Sequence, residues 1–263
     1  MSVTVLSHSE NRPVGGALIL DRVVALLAAL SESVEVAPSE LAERCDLPPS
    51  TTYRLLADLE HHGFVTRAGR RGTTLGLWIL ELARSVEDRL ESEVVEPARE
   101  VMEALAERFG ETAILTAPGG THAMCLASCE SDRHAMRLSY DRWRTAPMHL
   151  GASGKVLLAH LDDAHAERIL SAPPPHPSGR AQIDEATLRA QIAATRRDGY
   201  LVTDGELDDG ATAVASPVLD ARGRPVAGVS VAGPTARIRP ALHAIVPAVV
   251  AGAAQVSERI AAS

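Results

Sequence analysis

The chain has 263 residues, room for two domains of about 100–200 residues each, and is 46% hydrophobic with only 3% aromatic residues, so its cores must be built from Leu, Val, Ile and Ala. A formal net charge of −8 excludes a protein that coats nucleic acid along its whole length, because phosphate neutralisation needs Lys and Arg, but it allows a small local reader. Three cysteines (Cys45, Cys125, Cys129), no apolar signal core in Met1 to Val14 and no uninterrupted apolar run near the ~18–20 residues of a membrane span point to a reducing cytoplasm, no disulfide framework and no membrane partner.

Residues 1–14 lack periodicity and read as a disordered tail. A first helix is predicted over Ala17 to Leu30, with Leu20, Val23, Val24, Leu27 and Leu30 on its inward face. Pro38 opens a short second helix to Cys45, and Asp46-Leu47 breaks it. Pro48-Pro49 start a third helix, Ser50 to His62, with Thr52, Leu55, Leu56 and Leu59 inward and Gly63 as its stop. Two short extended pieces, Phe64–Arg67 and Thr73–Leu75, flank a Gly-rich basic turn and read as a hairpin. Helix, short helix, turn, helix, hairpin is the layout of a winged helix-turn-helix over residues 15–76.

In that layout the first turns of the third helix meet base edges, which makes Ser50, Thr51, Thr52, Tyr53 and Arg54 candidate DNA-reading residues. Hydroxyls bond phosphates or bases, and Arg grips guanine O6 and N7 bidentately. Arg67, Arg70 and Arg71 on the wing would meet the backbone or a neighbouring minor groove. Thr52 also belongs to the inward set, so it has a competing packing role. Between Thr51 and Gly76 four arginines stand against two carboxylates, a net of +2 within an acidic chain. A small helical bundle with exposed hydroxyls and a charged turn is the structural alternative.

A linker helix follows over residues 77–92, then Glu96 to Phe109 with Ala98, Val101, Met102, Leu105 and Phe109 inward. From Glu111 the pattern changes to strands, predicted at Thr112–Thr116, Ala123–Ser128, His134–Tyr140, Tyr200–Thr203, Ala211–Leu219 and Pro225–Ala232. Helices are predicted at Gly154–Leu161, Ala164–Leu170, Thr187–Asp198 and Ala241–Ala262. Residues 93–263 therefore read as an α+β domain, an antiparallel sheet with helices.

Within it, His149-Leu-Gly151-Ala152-Ser153-Gly154-Lys155 precedes an apolar helix. Small residues there let backbone amides approach a ligand, and a helix start favours a carboxylate; a tight turn before a packed helix explains the same residues. A phosphate-binding P-loop is excluded by His149 and Val156, and a nucleophile elbow by the absence of Gly-x-Ser-x-Gly. Asp204-Gly-Glu206-Leu-Asp208-Asp209 lacks the EF-hand glycine and terminal Glu and reads as a solvated loop with one or two ligand-facing groups. His122, Cys125, Cys129 and His134 have a spacing that zinc tolerates without requiring, and packing is the better reading of both thiols. No catalytic set, metal or cofactor is expected.

Taken together the motifs resemble the IclR family of bacterial transcription regulators from about Gly16 to Ile260. The match is carried by Pro49-Ser-Thr-Thr-Tyr-Arg54-Leu-Leu56, Gly63-Phe64, Leu75-Gly76, Leu80-Glu81-Leu82, Pro147-Met-His149, Gly151-Ala-Ser-Gly-Lys155, Gly199-Tyr200, Asp204-Gly-Glu206, Ala215-Ser-Pro-Val218 and Ser230-Val-Ala-Gly-Pro234. The resemblance implies an N-terminal winged helix, a linker helix and a GAF-like effector domain. It also implies a homodimer or dimer of dimers on a palindromic operator in double-stranded DNA, and a small-molecule effector, commonly a carboxylate. Carried over by motif, the effector residues are Gly151, Ala152, Ser153, Thr203, Asp204, Ala213, Ser216, Ser230 and Ala232. Ala37 replaces a common capping hydroxyl, Thr52 a common aliphatic, and Ala213 and Ala232 stand where some members are polar, so a larger or more apolar acid is expected.

Overall fold

The computed structural model describes residues 17–68, 72–180 and 183–262. Two compact units divide between Asp88 and Arg89. The tail 1–14 and the predicted wing residues Arg70 and Arg71 lie outside the described residues.

The first unit contains α1 (Ala17–Ser31), α2 (Pro38–Arg44), α3 (Pro49–His61) and the antiparallel hairpin β1 (Val65–Ala68) and β2 (Gly72–Leu75). Its core is Leu26, Leu30, Val36, Leu41, Leu55, Leu56, Leu59 and Val65. The inward face of α1 differs from expectation: Leu26, Ala29 and Leu30 are buried, whereas Leu20 and Val24 are exposed. Apolar residues surround that helix, so its periodicity fits two stripes, and the partners on α2 and α3 select one. Ala37 supplies no side-chain cap to α2, which relies on Pro38 in its first turn. Asp46 takes a positive φ of 50° at the break after α2.

Helix α4 (Trp78–Leu90) runs across the division and buries none of its residues within the chain. A π-helical turn (Glu91–Val95) carries it into α5 (Glu96–Phe109), which ends on Gly110 in the left-handed conformation.

The second unit is built on a six-stranded antiparallel sheet of order β5-β4-β3-β8-β7-β6, comprising β3 (Thr112–Gly119), β4 (His122–Cys129), β5 (Thr145–Pro147), β6 (Leu201–Asp204), β7 (Ala211–Leu219) and β8 (Pro225–Pro234). Strand alternation sorts two faces. Ala113, Leu115, Val214, Val229 and Val231 pack under α5 and the long α9 (Thr235–Ala262) in the main core. Ile114, Cys125, Ala213 and Ala232 face the opposite way. There α6 (Gly151–Leu158) lies on β7 and β8, backed by α7 (Asp163–Ser171) and α8 (Glu185–Asp198). By length and composition α9 is apolar enough to cross a membrane, yet Ile238, Ile245, Val249, Ala253 and Val256 are buried within the fold.

Two expectations are corrected. His134–Tyr140 is irregular, not a strand. Its carbonyls are taken by side chains, Thr112 Oγ1 donating to Leu138 O at 2.5 Å and Ser128 Oγ to Tyr140 O at 2.9 Å, so no ladder forms. Helix α6 begins at Gly151, not Gly154; the small-residue turn is its first turn.

Candidate functional site

In the first unit, α3 sorts the predicted DNA-reading residues by its period. Thr52 is fully buried with Leu55, Leu56 and Leu59, and its hydroxyl donates to Pro48 O at 3.3 Å. Thr52 is therefore withdrawn from the DNA-reading set: it faces the core and already has a partner. Ser50, Tyr53 and Arg54 are exposed and Thr51 is partly so. Arg67 on β1 is exposed and pairs with Glu60 of α3 at 3.1 Å. Tyr53 and Arg67 border one groove of about 400 Å³ between α3 and the hairpin. Hydroxyls, a phenol and two guanidinium groups thus share a surface fixed to a packed helix.

In the second unit, a cavity of about 80 Å³ opens between the first turn of α6 and the sheet. Six of the nine expected effector residues line it: Gly151, Ala152, Ser153, Thr203, Ala213 and Ala232. Three do not. Asp204 turns to Thr212 and to Arg239, whose Nη2 lies 2.6 Å away, and both hold its carboxyl below the usual carboxylate range. Ser216 donates to Gly199 O at 2.8 Å and borders a separate surface hollow. Ser230 is fully buried behind the wall, accepting from Ser153 Oγ at 2.9 Å.

Glu206 accounts for the early start of α6. Its Oε2 accepts the Gly151 N–H at 3.0 Å, while both of its oxygens lie within 2.7 Å of Lys155 Nζ. Lys155 is fully buried and also donates to Gln191 Oε1 at 2.6 Å. Burial pushes the lysine pKa down, and Glu206 opposes that shift. The loop carrying Glu206 is clasped from outside by Arg180, which donates to the carbonyls of Gly205, Glu206 and Leu207 and pairs with Asp209 at 2.6 Å. Gly151 adopts φ +69°, and a Cβ on Gly154 would lie 2.6 Å from Met148 O, so the small-residue motif is required by backbone geometry.

The lining also includes Ile114, Thr116, Cys125, Tyr140 and Arg144, which the effector assignment missed, and Glu206 and Asp208 from the acidic loop expected to carry one or two ligand-facing groups. Tyr140 OH donates to Asp208 Oδ2 at 3.0 Å, and Arg144 reaches Asp208 Oδ1 at 3.4 Å while lying 5.3 Å above the Tyr140 ring. Burial, then Asp208, raises the Tyr140 pKa, so the phenol stays a donor. Burial pushes the Cys125 thiol up to about 11, which leaves it an inert wall group at neutral pH. The alternation of β3 and β4 was the available signal for Ile114, Thr116 and Cys125; nothing local marked Tyr140 or Arg144. Among the described residues no group of three or more His, Cys, Asp or Glu is arranged to hold a metal.

The IclR helix-turn-helix domain model matches residues 19–69, and the bacterial transcriptional regulator IclR C-terminal model matches residues 90–258. The chain is 30% identical over 224 residues to the transcriptional repressor IclR of Escherichia coli K12, covering 83% of this chain and 81% of that protein. A crystal structure of a putative IclR regulator from Silicibacter sp. TM1040 has a TM-score of 0.78 at 28% identity, covering 92% of this chain and 96% of the other. An IclR homolog from Microbacterium hydrocarbonoxydans, complexed with 4-hydroxybenzoate, has a TM-score of 0.66 at 26% identity, covering 93% and 100%. These relatives are transcriptional regulators, not enzymes. Both units being matched in order, the chain belongs to the IclR family of DNA-binding transcriptional regulators.

Proposed function

We propose that this protein represses transcription by reading duplex DNA through α3 and the wing, and that a small organic or aromatic acid held between α6 and the sheet controls that reading. Residues 15–76 form the DNA-binding domain, 77–92 the linker and 93–263 the effector domain. The working form is a cytoplasmic homodimer or dimer of dimers on a palindromic operator, because one helix-turn-helix covers too few base pairs for selectivity. The observation that carries the reading is the sorting on α3: Thr52, Leu55, Leu56 and Leu59 inside, Ser50, Tyr53 and Arg54 outside. The 4-hydroxybenzoate complex of the Microbacterium homolog supports an aromatic acid as effector.

Selection of bound duplexes from a random pool tests the DNA reading and finds the operator sequence in the same step. An inverted repeat is expected to emerge. Arg54→Ala combined with Arg67→Ala should abolish specific binding to it in a gel shift, whereas Thr52→Val should retain it. Equal affinity of the double arginine variant would defeat the assignment.

A further inference from the structure

We propose that Arg144, assisted by Tyr140, is the anion anchor of the effector cavity, and that Asp208 occupies it until an effector carboxylate takes its place. This rests on the effector reading above and specifies its ligand chemistry. The start of α6 is the obvious place for a carboxylate, but Glu206 already sits there, accepting the Gly151 N–H, and its charge opposes a second carboxylate beside it. Lys155 is committed as well, buried between Glu206 and Gln191. Among the described lining residues Arg144 is the one remaining cation.

Its present partner holds it loosely. Arg144 reaches Asp208 through a single nitrogen at 3.4 Å, a long contact for a charged pair, and each side chain keeps about a third of its exposure, 35% and 33%. Asp208 can therefore return to solvent at small cost. An entering carboxylate offers the guanidinium two parallel hydrogen bonds, and the Tyr140 hydroxyl, released from Asp208 Oδ2, supplies a third donor. Beyond that head lie Ile114, Cys125, Ala213 and Ala232, an apolar wall that suits a ring or short hydrocarbon body. The ligand class is thus a monocarboxylate with an apolar or aromatic body. A second carboxylate would face Glu206.

Calorimetric titration of the full chain with benzoate, 4-hydroxybenzoate and pyruvate, each beside its neutral amide, tests the assignment. At least one acid should bind, and its amide should bind about tenfold or more weakly. Arg144→Gln should weaken the acid by about tenfold to a hundredfold, and Arg144→Lys should restore part of the loss. Asp208→Asn should tighten it, because the competitor loses its charge. Equal acid and amide affinity, wild-type affinity in Arg144→Gln, weakened binding in Asp208→Asn or no binding by any acid overturns the proposal. Circular dichroism checks that Arg144→Gln folds, and Asp208→Asn carries the test if it does not. The random-duplex selection is independent of the cavity, so a failed regulator reading shows there, not in the calorimeter.

Discussion

Lys155 is the single lysine of the chain, and it has no solvent exposure. Its ammonium is held by Glu206, and Glu206 in turn caps α6, so one ion pair fixes both the floor and one side of the cavity. Such a pair contributes little net stability over apolar residues of equal shape, but removing one partner strands a charge. Lys155→Met should lower unfolding stability by about 3 kcal/mol, read as a shift in urea midpoint at unchanged slope. Adding Glu206→Gln should recover part of that loss; a single variant as stable as the parent would mean that the pair is idle. The residue scale is also where the sequence was least readable. Glu206 lies 55 positions from the amide it caps, Asp208 lies 68 from Tyr140, and no local motif announces contacts of that range. Thr52 was the reverse case, since helical period already put it on the inward stripe and burial settled between its two roles.

At the scale of elements, patterns with a single solution were legible. Helices α3 and α5 fall within one residue of their expected spans, because each has one apolar stripe and a proline or glycine boundary. The strands β7 and β8 begin where expected, at Ala211 and Pro225, and the nearly unbroken burial of β8 is what a sheet covered on both faces requires. Where a pattern had two solutions, packing partners decided, as on α1. Where side chains replaced the ladder, as along His134–Tyr140, alternation gave a false strand. The junction of α6 with the segment before it depends on close backbone approach at Gly154. Gly154→Ala should therefore destabilise the second unit by about 1–3 kcal/mol, because the blocking atom is a backbone carbonyl that cannot swing aside. An unchanged thermal midpoint would show that α6 can shift without penalty.

At the scale of the whole molecule, the two units are joined through α4, and the residue after that helix belongs to a charged network. Glu91 holds Arg99 at 2.8 Å and Arg142 at 2.7 Å. Arg142 lies two positions from the cavity's Arg144, and between them Trp143 sits at φ +70°, a conformation rare for a bulky residue. Arg144 therefore sits on a short, constrained segment tied to the helical turn that follows α4. Linkage then requires an effector that favours one arrangement to alter DNA affinity, and DNA to alter effector affinity by the same factor.

The most direct test of a chain that joins DNA reading to acid sensing is fluorescence anisotropy of a selected duplex, titrated with the full protein with and without saturating acid from the calorimetric panel. At an acid concentration that just saturates the parent, the account predicts a shift in the Kd for DNA of about 5- to 150-fold in the parent protein and a much smaller shift in Arg144→Gln, whose site fills only in part. Superimposable DNA-binding curves for the parent with and without bound acid would contradict it.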